Sequence, residues 1–146
     1  MCRRIWEAHA KSGGERLMKI HHVGYLTKKL ENSRKRFYAL GFTDEKSAMY
    51  DEIRDINISF LRNGAYRVEL IEPASKASPM YELLKRYTNT PYHFCYEVED
   101  IDLKIKELAG AGYHILHAPE KAPCIDDKMV AFLYHPEIGI IELVEQ

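Results

Sequence analysis

Short stretches in which apolar and polar residues alternate recur along the chain, and a period of two residues is typical of half-buried β-strands. The two clearest stretches, residues 20–26 and 93–98, are also rich in β-branched and aromatic side chains. Three further strands are predicted after each of these in the sequence. After the first they lie at 46–50, 56–62 and 66–72, and after the second at 113–118, 128–134 and 138–144. The pattern therefore predicts two groups of four strands.

A helix is predicted directly after the first strand of each group. In the second group the apolar residues recur at helical spacing and would form one stripe, consisting of Ile101, Ile105, Leu108 and Ala109. Asp100 can cap the first turn of this helix. A glycine that can end the helix follows in each group, Gly41 in the first and Gly112 in the second. Each group thus has the order βαβββ.

The two groups are also related residue by residue. The stretch that begins at His22 aligns without a gap with the stretch that begins at His93, and the alignment pairs Gly41 with Gly112. After a slip of one or two residues, VELIE at 68–72 aligns with IELVE at 141–145. Shared periodicity alone does not explain histidine, glycine and glutamate positions that match in the same order. We therefore predict two tandem modules of one kind.

A third helix is predicted between the modules, because Ser78 can cap it and Pro79 suits its first position. Its buried stripe is expected at Met80, Leu83, Leu84 and Tyr87. Residues 18–146 would form one domain, with module one at about 18–76, the linking helix at about 78–88 and module two at about 91–146. Residues 1–17 show neither strand alternation nor a strong apolar face. We expect them to be a disordered or non-native extension, with Met18 as the native start.

Strand alternation places two histidines and two glutamates on equivalent faces of the modules. Residues two apart in a strand point the same way, so His22 and His93 would point away from the helices. Glu69 and Glu142 occupy matching positions in the last strand of each module, also on the face away from the helices. Unpaired buried carboxylates are costly, which favours a shared partner for all four groups.

Two imidazoles and two carboxylates form a ligand set suited to nickel, cobalt, zinc, manganese or iron. Such a set leaves up to two octahedral positions for water or substrate, and open positions indicate a catalytic metal rather than a structural one. The repeat therefore predicts one divalent metal site formed by His22, Glu69, His93 and Glu142.

The remaining histidines and cysteines are not included in this site. His21 is adjacent to His22 but should point to the other face by alternation. Histidines without a repeat partner are expected in loops or on the surface, namely His114, His117 and His135. Cys95 shares the metal-facing side, where we expect a small apolar filling role. The opposite side of the same strand is expected to pack on the helix through Phe94, Tyr96 and Val98.

Composition and cysteine spacing limit the binding partners and the cellular compartment that can be expected for this chain. The chain has 146 residues, 29% charged residues and a formal net charge of -1, so nothing indicates binding to nucleic acid or to an anionic membrane. No apolar run approaches the roughly 20 residues of a membrane helix, and no signal peptide is recognisable. The three cysteines lack any Cys-x-x-Cys spacing, which is typical of a reducing compartment. We therefore expect a cytoplasmic protein.

Four stretches resemble the vicinal oxygen chelate superfamily, especially glyoxalase I and methylmalonyl-CoA epimerase. They are IHHVGY at 20–25, RVELIEP at 67–73, YHFCYEVEDID at 92–102 and VAFLYHPEIGIIELVE at 130–145. The resemblance extends from Met18 to the C-terminus. It implies an α+β fold, the glyoxalase/bleomycin resistance/dioxygenase fold, in which paired βαβββ modules form a cupped mixed sheet around one divalent metal ion per chain. It implies the same four ligands, His22, Glu69, His93 and Glu142, and a homodimer.

The resemblance also implies chemistry that abstracts a proton next to a carbonyl while a metal stabilises the resulting anion. In glyoxalase I-like lyases, of the lactoylglutathione lyase type, the hemithioacetal of a 2-oxoaldehyde and a thiol becomes a 2-hydroxyacyl thioester through an enediolate. The base in such enzymes is a metal-ligating glutamate, which corresponds to Glu142, with Glu69 as its symmetry mate. We favour this activity, with nickel, cobalt or zinc as the cofactor.

Two alternatives remain open. One is an acyl-CoA epimerase like methylmalonyl-CoA epimerase, so the small-molecule partner is either a thiol adduct or an acyl-CoA. The additional catalytic glutamate of these epimerases aligns with Ile53, however, and the neighbouring Glu52 would point to the other face. The second alternative is a non-catalytic binding protein of the same fold.

Overall fold

The computed structural model describes residues 17–146, and in it the order βαβββ occurs twice. Module one contains β1 (Ile20–Leu26), α1 (Leu30–Tyr38), β2 (Thr43–Asp51), β3 (Ile56–Asn63) and β4 (Tyr66–Pro73). The linking helix α2 spans Pro79–Tyr87. Module two contains β5 (Thr90–Val98), α3 (Ile101–Gly110), β6 (His114–Ala122), a 3₁₀ turn (Pro123–Ile125), β7 (Lys128–His135) and β8 (Gly139–Glu145). The predicted tandem order is confirmed, whereas the predicted N-terminal extension lies, apart from Leu17, outside the described residues.

The strands form one mixed, curled sheet in the order β2-β3-β4-β1-β5-β8-β7-β6. In each module the first and last strands are parallel neighbours, β1 beside β4 and β5 beside β8. The modules meet through the antiparallel pair β1–β5, where Val23 faces Phe94. The four strands that carry the predicted ligands therefore lie side by side at the centre of the sheet.

Alternation along these strands divides the apolar residues between two faces. On the helix-covered face, α1 packs over Leu61, Val68 and Leu70, and α3 packs over a second cluster that includes Leu133 and Leu143. The opposite, concave face has its own cluster of buried residues, which includes Ile56, Ile58, Phe60, Ile71, Cys95, Val130 and Val144. This third cluster surrounds the region to which the predicted ligands point.

The helix ends follow the signals in the sequence. The side chain of Ser78 accepts a hydrogen bond from the backbone N–H of Met80 at 3.3 Å, and Asp100 accepts one from Leu103 at 2.8 Å. Gly41 and Gly112 have φ angles of 89° and 91°, in the left-handed region that glycine adopts without strain. None of the three helices in residues 17–146 has the length and apolar character needed to cross a membrane.

Three predicted packing positions are wrong. Phe94 is 47% exposed, because it lies at the seam between the modules, while α1 packs on β3 and β4 and α3 packs on β6 to β8. Tyr87, the last residue of α2, is 51% exposed. Ala109 is exposed in the last turn of α3.

The two edge strands are longer than predicted. β2 begins at Thr43 rather than 46, and β6 continues to Ala122 rather than 118. Most residues of both strands are exposed, so their sequences lack the apolar alternation that marks a half-buried strand.

Candidate metal centre

The four predicted ligands come together at the centre of the concave face. His22 on β1 and Glu69 on β4 come from module one, and His93 on β5 and Glu142 on β8 come from module two. Each of the four residues is at most 3% exposed. One nitrogen or oxygen atom from each lies within 4.8 Å of the corresponding atom in the other three.

Both imidazoles turn Nε2 towards the carboxylates. Nε2 of His22 lies 2.9 Å from Oε2 of Glu142 and 3.2 Å from Oε2 of Glu69. Nε2 of His93 lies 3.1 Å and 3.7 Å from the same two oxygens. The two Nε2 atoms are 3.2 Å apart. The cluster is therefore a compact set of two nitrogen and two carboxylate donors.

A small residue faces each histidine across the β1–β5 pair. Gly24 faces His93, and Cys95 faces His22. A Cβ atom at Gly24 would lie only 2.0 Å from Cε1 of His93, so the close approach of this ring requires glycine. Burial raises the pKa of the Cys95 thiol, and the nearby carboxylates raise it further. Cys95 is fully buried and stays protonated, in agreement with its expected filling role.

Electrostatic attraction within the cluster offsets the cost of burial. Burial lowers the pKa of His22, but the carboxylates of Glu69 and Glu142 outweigh this effect and raise it to about 10. For Glu142, burial acts to raise the pKa, yet hydrogen bonds from His22 and His93 hold this pKa well below its usual range. His22 and Glu142 thus each stabilise the charged form of the other.

The donor set fits a divalent transition-metal ion. Imidazole nitrogens and carboxylate oxygens are ligands that zinc, nickel and cobalt accept, and all four donors are buried on rigid strands. Nδ1 of His93 is buried and has no hydrogen-bond partner among the described residues, so Nε2 is the ring nitrogen that takes part in the cluster. His22, Glu69, His93 and Glu142 are therefore the residues that could hold a metal.

A cavity of about 410 Å³ adjoins the cluster and reaches Glu69 and Glu142. Its walls are mostly apolar and include Ile56, Ile58, Ile71, Val130, Phe132 and Ile140. Its polar lining comes from Asp51, Arg54, Tyr92, His117 and Glu120. The size and the apolar walls with a few polar groups are typical of small-molecule sites.

The two cavity carboxylates outside the cluster are already paired. Asp51, only 1% exposed, accepts hydrogen bonds from the backbone N–H groups of Ile53 and Arg54. Its other oxygen lies 2.9 Å from the guanidinium of Arg54, which also lies 3.7 Å from Glu120. Ile53 is 56% exposed and provides no acid or base. Asp51, the last residue of β2, therefore holds the turn between β2 and β3.

Sequence reasoning missed several residues around the site. His117 was expected in a loop or on the surface; it is exposed as expected, but it lies on β6, lines the cavity and has its ring against Phe132. His114, also exposed, and the partly buried His135 lie on strands away from the cavity lining. No pattern in the sequence indicated that Arg54 and Tyr92 line the cavity, because their place in it depends on how distant strands meet.

His21 does not join the four-residue cluster, as expected, yet it contacts one member of it. Its Nδ1 lies 2.7 Å from Nδ1 of His22, and its Nε2 lies 2.8 Å from Nη1 of Arg67. An irregularity in the β1–β5 register between Ile20 and His22 departs from strict alternation at this point. Burial, together with the neighbouring His22 and Arg67, lowers the pKa of His21 to about 4.

Comparison with known proteins gives the family. Residues 21–132 match the sequence model of the Glyoxalase/Bleomycin resistance protein/Dioxygenase superfamily, and the chain belongs to this superfamily. No curated protein matches the chain in sequence.

Several solved structures share the fold. A hypothetical protein from Bacillus halodurans C-125 is 23% identical with a TM-score of 0.78, and the match covers 90% of this chain and 96% of that chain. Methylmalonyl-CoA epimerase from Mycobacterium tuberculosis is 20% identical with a TM-score of 0.74, over 86% of each chain. A Streptomyces coelicolor methylmalonyl-CoA epimerase in complex with 2-nitronate-propionyl-CoA is 20% identical with a TM-score of 0.77, over 90% of this chain and 99% of that one. At these identities the similarity shows the shared fold.

Proposed function

We propose that this protein is a metal-dependent lyase of the glyoxalase I type, which converts the hemithioacetal of a 2-oxoaldehyde and a thiol into a 2-hydroxyacyl thioester. One observation carries this proposal. In residues 17–146, Glu69 and Glu142 are the cavity carboxylates with no arginine or lysine partner, whereas Asp51 and Glu120 face Arg54. The cavity carboxylates that are free of arginine and lysine therefore lie together.

Bases grouped in this way suit a proton that moves between neighbouring carbons of one substrate. The carboxylate of Glu142 accepts the proton from the carbon that bears the sulfur and returns it to the adjacent carbon. Glu69 lies across the cluster, where it can assist transfer between the two substrate oxygens. When bound by the four residues, a divalent cation supplies positive charge that stabilises negative charge on those oxygens.

The apolar walls of the cavity support this chemistry. Glu69 and Glu142 are each 3% exposed, so a substrate above them excludes most of the remaining water. Exclusion of water strengthens electrostatic interactions and protects a reactive anion from unwanted protonation. The cavity volume of about 410 Å³ suits the small reacting end of a thiol adduct.

An acyl-CoA epimerase is the second candidate, and the cavity position of Arg54 favours it. A guanidinium at this place would pair with the free carboxylate of a branched dicarboxylic acyl-CoA. The side chain that aligns with the additional glutamate of epimerases is the exposed, apolar Ile53, however, and Glu52 is also exposed. Within residues 17–146, the cavity lining offers no carboxylate free of arginine beyond Glu69 and Glu142, so we rank this activity below the lyase.

One assay separates these activities from simple binding. Metal-stripped protein is refilled separately with nickel, cobalt and zinc and is offered methylglyoxal with glutathione, or methylmalonyl-CoA in deuterated water. Metal-dependent thioester formation is expected. Exchange of the α-proton of the acyl-CoA without thioester formation would instead support the epimerase, and neither reaction despite stoichiometric metal binding would support a binding protein.

Glu142→Gln tests the assigned base. We expect kcat to fall by roughly a hundredfold to ten-thousandfold, because the amide cannot accept the proton. Glu120→Gln is the matched control, since it changes a cavity carboxylate that faces Arg54, and its kcat should stay near that of the unaltered protein. Turnover of Glu142→Gln at the unaltered rate, with metal bound, would contradict the assignment.

A further inference from the structure

The two histidines of the cluster differ in what their second ring nitrogen contacts. Nδ1 of His22 lies 2.7 Å from Nδ1 of His21, whereas Nδ1 of His93 has no hydrogen-bond partner in the described part of the chain. The repeat equivalent of His21 is Tyr92, whose ring packs edge-on against His93 at a centroid distance of 4.4 Å. The outer hydrogen bond to His22 is therefore a feature of module one and does not follow from the repeat.

His21 is also held from its other side. Its Nε2 lies 2.8 Å from Nη1 of Arg67, whose guanidinium forms two further hydrogen bonds with Glu45, at 2.6 and 2.7 Å. A guanidinium can only donate, so His21 must accept at Nε2 in this arrangement. Its other ring nitrogen, Nδ1, faces Nδ1 of His22.

Metal binding requires the opposite arrangement. A cation can bind Nε2 of His22 only when this nitrogen carries no proton, and the ring proton of His22 then lies on Nδ1. Nδ1 of His22 becomes a donor, so His21 must accept at Nδ1 and carry its own proton on Nε2. A neutral imidazole has one acceptor nitrogen. His21 can therefore accept from His22 or from Arg67, but not from both.

We propose that His21 is a positioning residue of the candidate metal centre, for which His22 and Arg67 compete, and that the hydrogen bond with His22 prevails when a cation is bound. This inference rests on the proposed metal site and not on the proposed reaction. In the loaded site the proton of His22 would lie on Nδ1, and His21 would accept it at Nδ1 and carry its own proton on Nε2. Arg67 would then keep its bonds with Glu45 and give up the one with Nε2 of His21.

The unaltered protein gives the first test, by nitrogen-15 NMR of its imidazoles after loading with zinc. We expect one zinc ion per chain, the proton of His22 on Nδ1 and the proton of His21 on Nε2. A zinc-loaded protein in which His21 carries its proton on Nδ1 would overturn the proposal. A second zinc ion would overturn it as well, because His21, His22 and Cys95 lie close enough to act as ligands themselves.

The affinity for zinc, measured by competition with a chelator, gives the second test. His21→Phe should weaken zinc binding about tenfold to a hundredfold, as loss of an outer hydrogen-bond partner of a ligand does. Arg67→Met should strengthen it about fivefold, because it removes the competing donor. Arg62→Met is the matched control, since Arg62 also pairs with Glu45 but forms no hydrogen bond with His21, and it should leave the affinity unchanged.

A double variant separates competition from the loss of a positive charge. If Arg67 acts through His21, Arg67→Met has no effect on zinc affinity in a His21→Phe background. An equal gain in both backgrounds, or no gain in either, would overturn the proposal. Zinc binding that follows these expectations without thioester formation would refute the proposed reaction alone. Thioester formation by the protein, together with a zinc affinity that His21→Phe and Arg67→Met leave unchanged, would refute this inference alone.

Discussion

At the scale of single residues, the candidate metal centre depends on the space left by Gly24 as well as on its four polar side chains. Gly24 lies opposite His93 in the β1–β5 pair, and the imidazole occupies the volume that a side chain would fill. Because both residues belong to central strands, neither backbone can move away without disturbing hydrogen bonds on two sides. The position of His93 is therefore set by a residue with no chemistry of its own.

Gly24→Ala should weaken zinc binding at least about fivefold while the protein remains folded. The new Cβ atom would lie 2.0 Å from Cε1 of His93 and must displace the ring, and such overpacking costs about 1–3 kcal/mol. The measurement is chelator competition, with circular dichroism to verify folding. Gly110→Ala is the control, because its Cβ would meet no atom within 4 Å. Equal zinc affinities of the two variants would contradict this account.

At the scale of elements, β2 is an exposed edge strand that side-chain ion pairs attach to the rest of the molecule at two positions. Glu45 on β2 binds Arg67 on β4 across the intervening β3, and it also pairs with Arg62 on β3. Further along the strand, Lys46 lies 2.8 Å from Asp126 beyond the 3₁₀ turn of module two. These bonds attach the edge strand to its own module and to the other side of the cavity.

The attachment through Glu45 should depend on pH. Hydrogen bonds from Arg67 hold the pKa of Glu45 below its usual value of 4.5, against the opposing effect of burial. Its stabilising contribution is therefore complete above about pH 4.5 and is lost as the pH falls through the lower, folded-state pKa. In metal-free protein, Glu45→Gln should lower the free energy of unfolding by about 1 kcal/mol or less near neutral pH, and by less in acid.

Urea unfolding of both proteins near neutral pH and in acid measures this difference. Glu82→Gln serves as the control, since Glu82 forms an exposed pair with Lys85 at 3.7 Å and should change little at either pH. A difference between the Glu45 variant and the unaltered protein that is the same at both pH values would rule out this linkage.

At the scale of the whole molecule, the candidate metal site joins the two modules. Each module contributes one histidine and one glutamate, and the donors meet across the β1–β5 seam. An ion bound there would connect four strands that otherwise interact through backbone hydrogen bonds and packing. Metal binding should therefore stabilise the folded state of the entire sheet.

The size of this stabilisation can be estimated. At a free metal concentration about a hundred times Kd, the gain is about 2.7 kcal/mol, which corresponds to a rise in Tm of roughly 5 to 10 °C for a chain of this length. Calorimetry with zinc and with a chelator measures it. Glu142→Gln, which loses one donor, should show a smaller rise. Identical Tm values of the unaltered protein with zinc and with chelator would argue against a metal site.

Local patterns in the sequence determined the order of the elements, the repeat and the residues that share a face. Alternation assigned His22 and Glu69 to one side of their strands, and the repeat assigned His93 and Glu142 to the equivalent side. This worked because the direction of a side chain in a half-buried strand depends on the residue's own position in the pleat. The exposed edge strands β2 and β6 were underestimated for the same reason, since strands without a buried face carry no alternation.

Only the tertiary structure decided which distant groups meet. The order of the strands brought β1, β4, β5 and β8 together. It left Phe94 exposed between the regions covered by α1 and α3. It also placed Arg54 and His117 in one cavity. The contact between His21 and Arg67 joins residues 46 positions apart and has no counterpart in module two. Such contacts depend on packing between separate parts of the chain, and no local periodicity encodes them.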